Sequence, residues 1–389
     1  MPVPPPKRYG WIGLGAMGYP MANQLRRKLP PGSELFVYDV NVEATQRFTR
    51  ESGGSIPVRI VKNAREVAEC SECMISIVPE GLHVREVYLT PETGALAGRT
   101  AGKIFVDCST IDPETSLLVG KAVDESSSDE PAHFYDAPVS GGTAGAEKGT
   151  LTFMVGAAPD DPLFPVLEDI FRLMGTSIYP IGGRSLGVAA KLSNNYLSSM
   201  VTLATSEAMN LGMRLGIDPK VLSNCFKTSS GNSWVNSTIN PVPGVCPDAV
   251  TSKGYEGGFK IQLMKKDVTL AVQAAERVGA KLVLANSGLP AYIEASEDPQ
   301  CRDKDCRVIY KWSVSSNHLQ ERRVLNEFLQ VGGHRAQGLK ERKIELTGER
   351  MIHRIYSKNP TGRNDEGVIE EIVSETRTDY THERLEHSS

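Results

Sequence analysis

The stretch Tyr9-Gly10-Trp11-Ile12-Gly13-Leu14-Gly15-Ala16-Met17-Gly18 decides the fold. An apolar, strand-like run enters a Gly-x-Gly-x-x-Gly turn, and a helix-period segment, Pro20–Leu29, leaves it. Gly13 permits the tight turn, Gly15 lets a pyrophosphate approach the backbone, and Gly18 allows helix and strand to pack closely. The phosphates would sit on the helix N-terminus, where unpaired N–H groups and the helix dipole favour negative charge. Glycines also mark ordinary turns, so the motif is weak alone; its setting completes it. A second strand-like run, Glu34–Tyr38, ends at Asp39, 21 residues beyond Gly18. A carboxylate there accepts hydrogen bonds from adenosine ribose hydroxyls. It would repel a 2′-phosphate, and no Arg follows in Val40-Asn41-Val42 to receive one. NAD is expected over NADP.

Outward from this turn, strand candidates continue at Tyr9–Leu14, Met74–Val78, Ile104–Asp107, Phe134–Asp136 and Leu151–Val155, with helical segments such as Val42–Glu51 between. That alternation specifies a doubly wound α/β domain, a parallel sheet with helices on both faces, over residues 8–183. From Ser185 the pattern changes. Apolar residues from Leu186 to Leu211 recur at helical spacing around nearly every side, which predicts a long, buried helix over Leu186–Leu215 joining two domains. Helices at Pro219–Lys227, Gly257–Val278 and Gly288–Ala295 follow without strand signals, so residues 184–312 read as all-α. Residues 313–389 carry 12 Lys+Arg and 13 Asp+Glu with weak periodicity. They read as a poorly ordered charged tail, with short helices expected at Leu319–Leu329 and Glu366–Val373.

Composition closes off other classes. The 389 residues carry 43 Lys+Arg against 47 Asp+Glu, a net charge of −4, without the basic excess of a nucleic-acid binder. No run approaches 18 apolar residues, so no transmembrane helix is expected. Met1–Gly10 is too short and Pro-rich for a signal peptide. The odd count of seven cysteines speaks for a reducing compartment. Cys70 and Cys73 form a CxxC without the four ligands tetrahedral zinc needs, so no metal is expected.

Three further blocks carry chemistry. Pro138-Val139-Ser140-Gly141-Gly142 offers a hydroxyl and bare backbone able to close on a small anion. Lys191 and Asn195 lie four apart and project from one helix face. A lysine on an apolar helix is costly to bury unless it has a partner or a task; otherwise it snorkels to water. Val78-Pro79 ends a strand at the crevice where doubly wound sheets bind ligands.

With these blocks, Asp107-Cys108-Ser109-Thr110, Asp136–Gly142, Ala190–Asn195, Glu207–Gly212, Ser229–Gly231, Asn240–Val245 and Leu263-Met264-Lys265-Lys266-Asp267, the chain resembles the β-hydroxyacid dehydrogenases, above all their 3-hydroxyisobutyrate branch, from Tyr9 to Trp312. The resemblance implies a catalytic acid/base at Lys191, with Asn195 donating to the substrate oxygen. It implies a substrate carboxylate held by Ser140, Gly141 and Gly142, with Trp234 and Phe259 as pocket walls. Val78, Pro79, Thr110 and Lys266 would border the cofactor, beside the Gly13–Gly18 turn and Asp39. The implied reaction is NAD-dependent oxidation of 3-hydroxyisobutyrate to methylmalonate semialdehyde in valine breakdown. A sister hydroxy-acid dehydrogenase, a semialdehyde or glyoxylate reductase, and a non-catalytic dinucleotide-binding module are the alternatives. An all-α second domain with exposed helices suggests a homo-oligomer, a dimer or larger, and charge and hydropathy leave no nucleic acid or membrane partner expected. The resemblance implies a mitochondrial location in eukaryotes, although no Arg-rich presequence precedes Tyr9 and a cytoplasmic location stays open. Departures from the family pattern are His83 in place of Asn, Asn232-Ser233 in place of Arg-Cys, and Ser185-Leu186-Gly187 before the long helix, with Ser185 an expected N-cap.

Overall fold

The computed structural model describes residues 4–51 and 56–315, and beyond them the backbone of three strands within residues 341–375. The Gly13 turn sits at the centre of a six-stranded parallel sheet. Its strands are β1 (Arg8–Ile12), β2 (Glu34–Tyr38), β3 (Val58–Ile60), β4 (Cys73–Ser76), β5 (Ile104–Asp107) and β6 (His133–Asp136), in the order β3-β2-β1-β4-β5-β6. That order reverses between β1 and β4, so the crevice at their carboxyl ends is where such sheets take ligands. Register pairs Ile12 with Tyr38 on one side and Ser76 on the other.

Alternation along the strands builds two cores. Trp11, Leu35, Val37, Ile75 and Val106 face α1 (Gly18–Lys28) and α2 (Val42–Arg50), whose Met21, Leu25 and Phe48 are buried. Ile12, Met74 and Phe105 point the other way. They meet Val67, Tyr88 and Val119 from α3 (Ala64–Cys70), α4 (Gly81–Leu89) and α5 (Pro113–Glu125). The strand expected to run on to Leu14 stops at Ile12, because Gly13 turns the chain with φ +97°. Leu151–Val155 is a strand, β8, but in a second sheet. There it pairs antiparallel with β7 (Val139–Ser140) and parallel with β9 (Gly175–Pro180). Between β7 and β8 lies the short helix α6 (Gly142–Lys148), and α7 (Phe164–Arg172) precedes β9.

The long helix is α8 (Leu186–Arg214), 29 residues and roughly 44 Å at 1.5 Å per residue. It is followed by α9 (Pro219–Lys227), α10 (Trp234–Thr238), α11 (Ile261–Arg277), α12 (Ala285–Glu297) and α13 (Ile309–Val314). The all-round burial expected of α8 is corrected. Leu186, Leu197 and Leu211 are exposed, while Ser199, Thr202, Thr205 and Ser206 are buried. Each of those hydroxyls donates to a carbonyl three or four residues back, so small polar residues can line a packed face without an orphaned group. Helix α11 starts at Ile261 rather than Gly257, because Gly257 and Gly258 both carry positive φ.

Residues 1–314 form one compact unit, and α13 ends it two residues past Trp312. Residues 315–389 form a second unit. In it β10 (Glu341–Thr347), β11 (Arg350–Tyr356) and β12 (Val368–Glu375) make an antiparallel sheet. The helix expected over Glu366–Val373 is thus a strand from Val368 on, in keeping with the β-branched Val368, Ile369, Ile372 and Val373. The helix expected over Leu319–Leu329 lies outside the described residues. Among the described residues no helix is long and apolar enough to cross a membrane.

Candidate active site

A cavity of about 790 Å³ opens at the carboxyl ends of the sheet and reaches across to α8 and α11. Its floor is the Gly13–Gly18 turn. A Cβ on Gly13 would collide with the Ile77 carbonyl oxygen, and one on Gly18 with the Gly13 carbonyl oxygen. At Gly15 a Cβ would meet no atom within 4 Å, which leaves bare backbone facing open cavity. The turn feeds α1, which has no side-chain cap and no acidic residue in its first turn. By contrast α2 and α3 are capped by Asn41 and Asn63 and carry Glu43 and Glu66. The α1 N-terminus therefore keeps its positive end for an anion. These features fit a bound dinucleotide diphosphate.

Asp39 lines the same cavity beside Tyr38 and Val40. One carboxylate oxygen accepts from the Leu14 N–H and the other from the Asn41 N–H at 2.7 Å. The side chain is thereby fixed at the β2 end, with lone pairs left for further donors. Val78, Pro79, Ser109 and Thr110 form the facing rim. Behind them Asp107, fully buried, accepts from Ser76 at 2.8 Å and Ser109 at 2.7 Å, and Ser109 in turn accepts from the Val78 N–H. Burial pushes the Asp107 carboxyl up to about 6, against the pull of those hydroxyl donors. His83 also lines the cavity, and its Nδ1 is buried without a hydrogen-bond partner among the described residues.

The opposite wall comes from the helices. Lys191 lines the cavity at 7% exposure. Burial lowers its ammonium to about 8; the Asp267 carboxylate opposes that shift and the Lys266 charge adds to it. Lys266 spans the crevice, donating to the carbonyls of Thr110 at 2.5 Å and Pro79 at 3.1 Å and pairing with Asp267 at 3.2 Å. Asn195 donates to Asp267 Oδ2 at 2.5 Å and is not among the cavity-lining residues. Asp267 is the residue sequence reasoning missed: quoted within a charged Lys-Lys-Asp run, it is 1% exposed and borders the cavity. The available signal was its place beside the apolar stripe Ile261, Met264, Val268 and Ala271 of α11.

Of the anion loop, Gly142 and Val139 line the cavity, whereas Ser140 and Gly141 do not. Phe259 and Leu263 form the wall by α11. Trp234 does not; it stands on α10, 61% exposed, with the Arg307 guanidinium 6.0 Å from its ring. A second concavity of about 1040 Å³ between α1, α2 and α6 is larger. Its Arg27, Arg47 and Arg50 are exposed, and it lacks the buried titratable groups of the first.

Fold and site together define a nicotinamide-dinucleotide oxidoreductase of the β-hydroxyacid type. Residues 8–183 match the family model described as the NAD binding domain of 6-phosphogluconate dehydrogenase. Residues 185–312 match that described as NAD-binding of NADP-dependent 3-hydroxyisobutyrate dehydrogenase. The chain is 38% identical to the mitochondrial 3-hydroxyisobutyrate dehydrogenase of Homo sapiens over 71% of its length and 78% of the relative. It is 39% identical to the 3-hydroxyisobutyrate dehydrogenase of Pseudomonas aeruginosa over 70% of its length and 87% of that relative. The solved Mycobacterium tuberculosis 3-hydroxyisobutyrate dehydrogenase with L-serine superposes with a TM-score of 0.70 at 28% identity, covering 79% of this chain and 99% of that one. The chain belongs to the 3-hydroxyisobutyrate dehydrogenase family.

Proposed function

We propose that the protein oxidises the primary alcohol of 3-hydroxyisobutyrate to methylmalonate semialdehyde with NAD, a step of valine breakdown. The observation that carries the reading is a buried lysine, held near pKa 8, in the same cavity as an uncapped dinucleotide turn. The relatives' names supply the substrate, and the M. tuberculosis relative was solved with L-serine, itself a 3-hydroxy acid.

The Gly13–Gly18 turn would hold the diphosphate and Asp39 the adenosine ribose, with Val78, Pro79, Thr110 and Lys266 along the nicotinamide half. When bound, NAD would supply the acceptor for the hydride of the carbinol carbon. Neutral Lys191 takes the hydroxyl proton as that hydride leaves, so atoms and charge balance. A lysine near pKa 8 is neutral often enough at working pH to serve as base, where a free one near 10.4 is not. Asn195 acts through Asp267, orienting the carboxylate that neighbours Lys191. Gly142, with Ser140 and Gly141 behind it, would take the substrate carboxylate, and Phe259 would wall the methyl side.

The reading assigns residues 8–183 to cofactor binding and 184–312 to substrate binding and self-association. Leu211, Leu215, Val221, Val278, Val283 and Leu284, exposed on the second part, suit a homo-oligomer. The mitochondrial location rests on eukaryotic relatives' names, and cell fractionation tests it.

Initial rates on a panel of hydroxy acids with NAD and NADP test the function. The highest kcat/KM should fall on 3-hydroxyisobutyrate with NAD, and Asp39→Ala should narrow the preference over NADP. Faster reduction of succinic semialdehyde or glyoxylate would assign a sister reaction, and no turnover on any member a binding role.

A further inference from the structure

Helix α8 begins without a cap of its own. Ser185, at the N-cap position, has a left-handed backbone with φ 66°, and its hydroxyl donates to the Pro113 carbonyl rather than serving the helix. The expected Ser185 cap is therefore replaced from another element. Asp136, the last residue of β6, accepts from the Ser185 N–H at 2.7 Å through Oδ1 and from the Val188 N–H at 2.8 Å through Oδ2. At 1% exposure these are charge-assisted bonds in a dry setting, the strong kind.

The backbone closes tightly around this carboxylate. Gly156 N–H donates to the Asp136 carbonyl at 2.7 Å, and a Cβ on Gly156 would collide with Asp136 Oδ1. A Cβ on Gly187 would collide with the Met154 carbonyl oxygen. The first turn of α8 is thus pressed directly onto the ends of β6 and β8. Residues 187, 191 and 195 are spaced by four and share one helix face. All three are buried, so the face seated on Asp136 and Met154 is the one that carries Lys191 into the cavity. Asp136 itself does not line that cavity.

We propose that Asp136 is a positioning residue for Lys191: its carboxylate seats the first turn of α8 on the sheet and so sets where the lysine ammonium stands. The proposal rests on the proton-transfer reading of Lys191 above. Asp136→Asn keeps the shape but presents an NH₂ group to one of the two N–H donors, which must part.

The test compares Asp136→Asn, Lys191→Ala and the double variant, with kcat, NAD affinity by fluorescence and the pH profile of oxidation. Asp136→Asn should lower kcat roughly tenfold or more with NAD affinity unchanged. The rising limb of its pH profile should move upward, because a displaced lysine is less buried and relaxes toward its ordinary range. In the Lys191→Ala background the same change should cost nothing further, since two residues acting through one step are not additive. An equal loss in both backgrounds, or an unmoved pH limb, overturns the proposal. Parental turnover in Lys191→Ala overturns the proton-transfer reading instead, and the Asp136 proposal with it. If Asp136→Asn yields no soluble protein, Gly187→Ala lifts the same turn with the carboxylate intact. It must then show the same loss and limb shift; a parental profile overturns the proposal.

Discussion

A lysine at 7% exposure holds its charge only at a cost, and that cost is what makes Lys191 useful. Lys191→Ala should lower kcat by roughly 10²–10⁴-fold, the usual worth of a positioned acid/base, with NAD affinity little changed. Lys191→Arg should rescue poorly because guanidinium stays protonated. The parent's oxidation rate should rise with pH through about 8, and the rise should flatten in the Ala variant; stopped-flow or steady-state profiles read both. The same shift carries a stability consequence. The folded lysine gives up its proton near 8 and the unfolded one near 10.4, so the unfolded chain binds the extra proton between them. Stability therefore rises with pH across that window, and the full penalty stands below it. Lys191→Met should raise stability at pH 7 by on the order of 1–3 kcal/mol and remove the rise above pH 8, seen in thermal melts. A lower midpoint at pH 7 would show that Asp267, left without this neighbour, weighs more than the buried ammonium did. Lys191 was legible in the sequence because a cation inside an apolar helix contradicts its surroundings. Asp267 was not, because beside Lys265 and Lys266 a carboxylate reads as their solvated counter-charge until α11 is packed and it turns inward with Lys266.

Among the elements, the turn into α1 shows how much one hydrogen on a backbone carbon decides. At Gly18 an added methyl meets the Gly13 carbonyl and Ile77, both held by the sheet. Gly18→Ala should therefore lower the thermal midpoint and abolish NAD binding together. At Gly15 the added methyl meets nothing in the protein but stands where the cavity opens. Gly15→Ala should leave the midpoint near the parent's and still weaken NAD binding, by roughly tenfold or more, as a lost close approach of diphosphate to N–H groups. Paired melts and NAD titrations separate the two effects; a destabilised Gly15→Ala would mean the bare backbone serves the fold and not the ligand. Elements with strong period or chemistry were readable beforehand: β2 was placed to the residue, and α8 to within one. The three-residue β3 and the polar β9 were not, since Val58–Ile60 is too short to alternate and Gly175–Pro180 carries no apolar face. Nor does periodicity reveal that α8 buries hydroxyls and exposes leucines, because that choice belongs to the helices packed against it.

At the scale of the molecule, the crevice is held by bonds that cross it. Lys266 from α11 grips the carbonyls after β4 and β5, Arg277 pairs with Glu114 at 2.9 Å, and Asp136 seats α8 on the sheet. Everything the proposed reaction needs lies between Gly13 and Asp267, and the core that supports it closes with α13. There Ile309, Tyr310 and Trp312 are buried, with Ile309 and Trp312 in the cluster around Met264, Val268 and Tyr292. Both family models end at or before residue 312, and residues 1–314 form a unit with its own cores. A chain ending at Val314 should therefore fold, melt within a few degrees of the full protein and turn over at the parental rate, since it keeps every buried apolar residue of the unit formed by residues 1–314. Ending it at Ile309 should not be tolerated. Removing Tyr310 and Trp312 opens a cavity of two large aromatics, at roughly 3–5 kcal/mol for each. Melting curves and turnover for the two truncations decide the point: insoluble or inactive protein from the Val314 truncation would place the charged segment within the working enzyme.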